Sequence, residues 1–144
     1  MVVGKDDRGN YLRWARKRGL EHHVLFLGGT CEVEKFYAAS DLFVLPTLYD
    51  AFSNVCLEAM ACGTPVITSR NNGASELIRN GEEGYILEHH DERELAERIW
   101  ISLPAEKRAY MGGRAAIKAD AFAMEKHFAA LLGLYEEIVD LKGR

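Results

Sequence analysis

Residues 46–65 lie between two short apolar runs, and this arrangement constrains the fold more than any other feature of the sequence. The run before them, at 42–45, is LFVL, and the run after them, at 66–69, is VITS. A polar loop and a mostly apolar, helix-like stretch separate the two runs. Short apolar runs on both sides of a helix are typical of parallel strands joined by a crossover helix. Because ligands bind where such strands end, the loop at 46–54 is the first candidate for a functional site.

The same alternation of strand-like and helix-like segments continues along the chain. Apolar runs and turn residues predict strands at 1–4, 24–27, 42–45, 66–69 and 84–87. Helical periodicity and end signals predict helices at 10–18, 32–40, 54–62, 74–79, 91–103, 105–118 and 124–141. This order indicates an α/β fold, a Rossmann-like parallel sheet with helices on both faces. The 144 residues predict a single domain over 1–144 that ends in helices at 105–144.

One acidic residue interrupts the apolar helix that follows the candidate loop. Ser53 or Asn54 can cap the start of this helix, and Gly63 ends it. The residues between leave almost no polar face, which predicts a buried helix with Glu58 as the exception. A buried carboxylate without a partner is costly or has a raised pKa. Either an internal partner satisfies Glu58, or its carboxylate faces a cleft and accepts hydrogen bonds from ligand hydroxyls.

Composition and charge exclude several classes of function. The net charge of −4 argues against a nucleic-acid-binding protein. No apolar run approaches the roughly 20 residues that span a membrane, and the N-terminus lacks a secretion signal. Cys31, Cys56 and Cys62 are odd in number, and their spacing matches no metal motif. This cysteine usage indicates reduced thiols in a cytosolic protein and predicts no metal site.

Other conspicuous residues have ordinary structural explanations. The glycine pair at 28–29 is typical of a turn, and the chain contains no G-x-G-x-x-G fingerprint. The histidine pairs at 22–23 and 89–90 are typical of solvated loops. A basic cluster indicates a solvated helix face, with phosphate or membrane contact as the alternative. Its members are Arg13, Arg16, Lys17 and Arg18.

The stretch at 46–78 reads PTLYDAFSNVCLEAMACGTPVITSRNNGASELI. It resembles the donor-binding segment of retaining glycosyltransferases of the GT-B fold, in the glycosyl transferases group 1 family. The signature of that family is a Glu, seven further residues, and a second Glu inside a LEAMA-GTPV segment. Glu58 matches the second Glu, and Asp50 stands in the place of the first, one methylene shorter. The resemblance covers roughly residues 1–100.

The resemblance implies transfer of a sugar from a nucleotide-sugar to a glycan or lipid-linked acceptor with retained configuration, with UDP as the default nucleotide. It implies that Glu58 accepts hydrogen bonds from the ribose and that Asp50, the catalytic position, lies near the donor sugar. Further donor-binding positions carried over are Phe52, Ser53, Asn54, Val55, Gly4, Gly28 and Val33. Backbone N–H groups at 53–55 would hold phosphate or sugar, and the loop at 28–33 would lie near the base. No cofactor or metal cage is implied, since basic groups and helix N-termini carry the diphosphate charge.

The resemblance also implies parts of the family architecture that this chain lacks. An acceptor-binding domain precedes the nucleotide-binding half, and that half begins with one more strand and helix. The absent strand is central in the order 3-2-1-4-5-6. We therefore expect an exposed apolar edge at 42–45 and self-association through it. We also expect the chain to be inactive alone, and the full-length protein to be cytoplasmic, with peripheral contact at the inner membrane.

Two other functional classes are compatible with the same residues. A non-catalytic nucleotide-sugar-binding module, or a subunit completed by a partner chain, would share the pocket but show no turnover alone. A piece of a sugar-nucleotide epimerase with a GT-B-like fold would share the architecture. A Rossmann dehydrogenase is disfavoured because the glycine fingerprint is absent.

Overall fold

The computed structural model describes residues 1–4, 8–89 and 91–142. For Arg8 it describes the backbone only. Backbone contacts divide the chain into two compact units, one from Met1 to Phe36 and one from Tyr37 onwards. The expected single domain over 1–144 stays a prediction. Of the histidines interpreted as loop residues, His90 lies outside the described residues.

The first unit contains two short parallel strands and a helix. Strand β1, Val2–Val3, pairs with strand β2, Phe26–Gly28, and helix α1, Arg8–Lys17, lies between them in sequence. Both strands are shorter than predicted. Gly19 ends α1 with a φ of +66°, a conformation that favours glycine.

The second unit contains a parallel sheet of three strands in the order β3-β4-β5. The strands are β3, Phe43–Leu45; β4, Val66–Ser69; and β5, Gly84–Leu87. Every residue of β4 and β5 is buried, whereas all three residues of β3 are partly exposed. Among the described residues, β3 pairs only with β4, so its other edge is free. The expected exposed apolar edge at 42–45 stays a prediction.

Helices connect and follow these strands as the apolar periodicity predicts. They are α2, Val33–Ala38; α3, Asn54–Ala61; α4, Glu92–Ile101; α5, Ala105–Asp120; and α6, Met124–Lys142. The predicted short helix at 74–79 is a 3₁₀ helix, Gly73–Leu77. The α/β class, the parallel strands with helices on both sides and the helical C-terminal end are confirmed.

The hydrophobic core of the second unit lies against one face of its sheet. Ile67 and Tyr85 stand side by side on neighbouring strands, and Met111 of α5 packs against them. Leu95 and Ile99 of α4 pack against this cluster. Alternate residues of a strand face opposite sides of the sheet, so the other face of β4 is available to α3.

Two neighbouring glycines of α5 are expected to respond oppositely to substitution by alanine. A Cβ at Gly112 would lie 2.2 Å from the carbonyl oxygen of Gly63, whereas a Cβ at Gly113 would meet no atom within 4 Å. We expect Gly112→Ala to lower the free energy of unfolding by about 1–3 kcal/mol, because α5 must move away from α3. Gly113→Ala should raise it by up to about 1 kcal/mol, because alanine favours the helix.

Urea unfolding followed by circular dichroism measures both effects on the same helix. Gly113→Ala is the matched control, since it adds the same methyl group one position along. Changes of the same sign in the two variants would show that close contact at Gly112 does not limit the packing of α3 and α5.

Candidate functional site

The candidate site lies where two neighbouring loops leave the carboxyl ends of β3 and β4. The backbone N–H of Asp50 donates to the carbonyl of Asn71 at 3.1 Å, and the N–H of Gly73 donates to the carbonyl of Asp50 at 3.0 Å. A Cβ on Gly73 would lie 1.9 Å from the carbonyl oxygen of Ala51. Only glycine therefore permits this approach, and it fixes the first loop against the second.

A fully buried amide, that of Asn72, connects the two loops to helix α3. Its Nδ2 donates to the hydroxyl of Ser53 at 3.0 Å and to the hydroxyl of Thr68 at 2.9 Å. Its Oδ1 accepts from the backbone N–H groups of Ser53 at 3.2 Å and Ala74 at 3.1 Å. This role is not evident from the sequence, because an Asn-Gly pair also occurs in ordinary turns. The signal available was an Asn placed one residue before a helical segment, where it can act as an N-cap.

Asp50, the expected catalytic position, is held by its own loop. Its Oδ1 accepts from the backbone N–H of Phe52 at 3.1 Å, and its Oδ2 accepts from the hydroxyl of Ser53. The side chain is half-buried. These bonds orient the carboxylate and shape the loop, so they fit a turn residue and a positioned site carboxylate equally. Its catalytic role stays a prediction.

Helix α3 buries only one of its faces, which corrects the expectation that it is buried on nearly every side. Cys56, Ala59 and Met60 point inward, while Val55 is 38% exposed and Glu58 is exposed. The helix lies at the surface of the second unit, and its small residues allow close packing on the inner side only. Apolar content alone did not reveal this, because alanine and cysteine are accepted on either face.

Glu58 lies on the exposed face and still has an internal partner. The hydroxyl of Tyr37 donates to Oε2 of Glu58 at 3.1 Å. The first alternative raised by the sequence, an internal partner, is therefore present. The second, acceptance of hydrogen bonds from ligand hydroxyls, stays a prediction. The hydroxyl of Tyr37 was not recognised from the sequence, since it lies 21 positions away along the chain.

Glu58 also borders an open groove of about 530 Å³. The groove runs between α3 and the segment that joins α5 to α6. Its polar side chains are Asn54, Glu58 and Asp120, and the other lining residues are apolar. A mostly apolar wall with a few polar groups is typical of small-molecule sites.

The start of α3 carries the other expected donor-binding positions. The N–H of Ser53 donates to Oδ1 of Asn72, and the expected contacts of the N–H groups at 53–55 with phosphate or sugar stay a prediction. The other two N–H groups of this set belong to Asn54 and Val55. These lie in the first turn of the helix, where N–H groups have no intrahelical acceptor. Phe52 is 39% exposed beside them.

The remaining expected positions lie in the first unit or at its edge. The N–H of Gly4 donates to the carbonyl of Gly28 at 2.9 Å, so these two glycines are neighbours where β1 and β2 end. Gly28 has a φ of +80°. Val33 begins α2 and is partly exposed. The contact of Gly4, Gly28 and Val33 with the nucleotide stays a prediction.

Within residues 1–4, 8–89 and 91–142, no group of three His, Cys, Asp or Glu side chains is arranged to bind a metal ion. In the same part of the chain, every helix is too short or too polar to cross a bilayer.

The hydroxyl of Tyr37 stays protonated over the physiological pH range. Burial raises its pKa above the ordinary value, and the neighbouring Glu58 raises it further through its charge and its hydrogen bond. A raised pKa in the folded state gives stability that is present below the unfolded pKa of about 10 and is lost as the pH rises above it.

We expect Tyr37→Phe to lower the free energy of unfolding by about 1 kcal/mol at pH 7, because the bond to Glu58 is lost. The ring remains packed edge-on against Phe43, 5.4 Å between centroids. The loss of stability above about pH 10 should be shallower in the variant, because one raised pKa is removed. Urea midpoints measured on both sides of that pH test this, and identical alkaline slopes in the two proteins would contradict it.

Comparison with known proteins agrees with this architecture. The sequence profile of the family described as "Glycosyl transferases group 1" matches residues 1–118. A D-inositol 3-phosphate glycosyltransferase of Corynebacterium jeikeium is 32% identical over 127 residues, which are 86% of this chain and 30% of that protein. An N-acetyl-alpha-D-glucosaminyl L-malate synthase of Bacillus anthracis is 34% identical over 130 residues, 89% of this chain and 34% of that protein.

A solved structure shows the same fold with a nucleotide bound. The crystal structure of Anabaena Alr3699/HepE in complex with UDP matches with a TM-score of 0.78 and 28% identity, over 91% of this chain and 39% of that one. The chain thus spans about a third of the length of these curated relatives. The resemblance found at 46–78 is confirmed, and the chain belongs to the glycosyl transferases group 1 family.

Proposed function

We propose that this chain binds the nucleotide part of a nucleotide-sugar donor, with the Glu58 carboxylate as the acceptor for the ribose hydroxyls. The observation that carries the proposal is the position of Glu58. It is an exposed carboxylate on a mostly apolar helix, oriented by the Tyr37 hydroxyl and bordering an open groove. A carboxylate with unused acceptor positions suits a pair of neighbouring hydroxyls, because charged acceptors make the stronger hydrogen bonds.

The start of α3 supplies a place for the diphosphate next to this carboxylate. The free N–H groups of Asn54 and Val55 and the helix dipole favour an anion there, by roughly 0.3–1 kcal/mol for the dipole alone. The bonds of Asn72 and Asp50 hold the loop before the helix in place. A held loop supports binding, since little conformational entropy is lost when the ligand arrives.

UDP is the nucleotide we propose, because Anabaena Alr3699/HepE has been solved with UDP and with UDP-glucose. In the whole protein, we propose transfer of the sugar with retained configuration, with Asp50 near the reacting sugar. The names of the two relatives point to different acceptors, an inositol phosphate and a malate. These two names do not agree on an acceptor class, so the glycan or lipid-linked acceptor that we propose rests on the family resemblance alone.

Titration with UDP, GDP and ADP, followed by amide NMR, tests the nucleotide site. The expected result is a set of shifts in the amides at 53–58 that saturates with UDP at the lowest concentration. Equal and weak responses to all three nucleotides, or shifts confined to other parts of the chain, would contradict a UDP site at Glu58.

A non-catalytic nucleotide-sugar-binding module is the second candidate, since the groove beside Glu58 serves donor binding with or without turnover. We propose that the chain alone binds donor without turnover. The partly exposed edge of β3 supports a further proposal, that isolated chains associate through this strand. Light scattering at micromolar concentration that shows a monomer would contradict this association.

A further inference from the structure

Tyr37 is tied to helix α3 at both of its ends. Its hydroxyl donates to Oε2 of Glu58 at 3.1 Å, and its carbonyl accepts from the buried hydroxyl of Thr64 at 2.8 Å. Thr64 is itself attached to α3, because its backbone N–H donates to the carbonyl of Ala59 at 3.0 Å. All of these residues lie in the second unit. Their hydrogen bonds form a closed path that begins and ends at neighbouring positions of α3.

The side chain of Tyr37 is confined by its surroundings. It is 6% exposed, and its ring packs edge-on against the ring of Phe43. Its carbonyl accepts a second hydrogen bond, from the backbone N–H of Ser40 at 2.9 Å. Because burial raises the pKa of Tyr37, its hydroxyl stays protonated and acts as a donor over the physiological pH range. One oxygen of the Glu58 carboxylate is therefore held by a fixed donor.

A fixed donor matters most for a carboxylate on an exposed helix face. An exposed glutamate samples many side-chain conformations, and the loss of this freedom on binding lowers the affinity for a ligand. A carboxylate has about four acceptor positions, of which the Tyr37 hydroxyl occupies one. We propose that Tyr37, held by Thr64, is a positioning residue that fixes the Glu58 carboxylate in the orientation that accepts hydrogen bonds from the ribose hydroxyls. This role rests on the proposed ribose contact of Glu58.

Calorimetric titration of the full chain with UDP and with the diphosphate of 2′,3′-dideoxyuridine tests this role. The analogue keeps the base and the diphosphate and lacks both ribose hydroxyls. In the parent chain, we expect UDP to bind at least about tenfold more tightly, because hydrogen bonds to a charged acceptor are the stronger ones. Tyr37→Phe should weaken the binding of UDP by about twofold to tenfold, the range for ordering one side chain. It should leave the affinity for the analogue unchanged, whereas a purely structural role would weaken both nucleotides equally.

The chain offers matched controls for both residues. Tyr85 is also 6% exposed and belongs to the hydrophobic core of the second unit, so Tyr85→Phe removes the same atom from an equally buried ring. It should change the affinity for neither nucleotide. Thr64→Val keeps the shape of the side chain without its hydroxyl, and it should weaken UDP alone, by about twofold to threefold. Thr64→Ser keeps the hydroxyl and should retain the parent preference for UDP. Urea unfolding checks that each variant is folded, and the Thr64 pair carries the test if Tyr37→Phe is not.

A double-mutant cycle with Glu58→Gln separates positioning from packing. In the Glu58→Gln background, Tyr37→Phe should change the affinity for UDP by less than about twofold, because both residues act through one contact. Equal affinity of the parent chain for the two nucleotides, or no binding of UDP, would overturn the ribose contact and the role of Tyr37 together. A parent preference for UDP that Tyr37→Phe or Thr64→Val leaves intact would overturn the positioning role alone. Additive effects of Tyr37→Phe and Glu58→Gln would do the same, and Glu58 would keep its proposed contact.

Discussion

Replacing Glu58 by Gln is expected to weaken the binding of UDP by about tenfold to a hundredfold, because hydrogen bonds to a charged acceptor are worth roughly 1.5–3 kcal/mol. The amide has nearly the shape of the carboxylate, so the groove keeps its form. The side chain is exposed, and its loss of charge leaves no buried group unsatisfied. The free energy of unfolding should therefore change little, apart from a weaker bond with Tyr37.

Calorimetric titration with UDP measures this effect, and urea unfolding checks the fold. Glu97→Gln is the matched control, because Glu97 is an exposed glutamate in the middle of α4 and borders no part of the candidate site. It should bind UDP as the parent chain does. Equal affinities in the parent chain and Glu58→Gln would remove Glu58 from the site and, with it, the main support for the proposed ribose contact.

Replacing Asn72 by Ala is expected to lower the free energy of unfolding by about 3–5 kcal/mol. The amide makes hydrogen bonds with the side chains of Ser53 and Thr68 and with the backbone of Ser53 and Ala74. Each of these partners loses a hydrogen bond. Because the site is buried, bulk water does not replace the lost bonds. The loop before α3 should loosen in the same variant.

The neighbouring residue is the control for this second prediction. Asn71 is exposed, and its Nδ2 donates to the carbonyl of Leu48 at 3.2 Å. Asn71→Ala should cost less than about 1 kcal/mol, because water satisfies the freed carbonyl. Urea unfolding of both variants, with amide hydrogen exchange at 50–53, measures the difference. Similar stabilities for the two variants would show that the buried amide does not hold the loops together.

Most of the fold follows from local patterns in the sequence. The strands β4 and β5 occupy the predicted residues, since a continuous apolar run between turn residues has few alternatives. The helices α5 and α6 begin where predicted, at Ala105 and Met124. The segment at 74–79 is predicted as a helix, but the structure forms a 3₁₀ helix of five residues there, capped by Asn72.

The candidate site was predictable only where one short motif carries it. The motif at 50–58 identified Asp50 and Glu58 and the loop between the strands. The partners of these residues come from elsewhere in the chain: Tyr37 precedes Glu58 by 21 positions, and Asn72 follows Ser53 by 19. Hydrogen bonds over such separations leave no local pattern. The orientation of α3 was misjudged for a related reason, since small residues do not distinguish an inner from an outer face.

Local chemistry was enough to establish the α/β order of elements and to select a candidate loop with the acid at position 58, because turns, helix ends and apolar periods act over a few residues. Packing established the rest: which side of α3 faces solvent, which hydroxyl orients Glu58, and how the Asn72 amide joins two loops. These features depend on groups that meet only after the strands have paired. Their physical cause is the requirement that every buried polar group find a partner, wherever along the chain that partner lies.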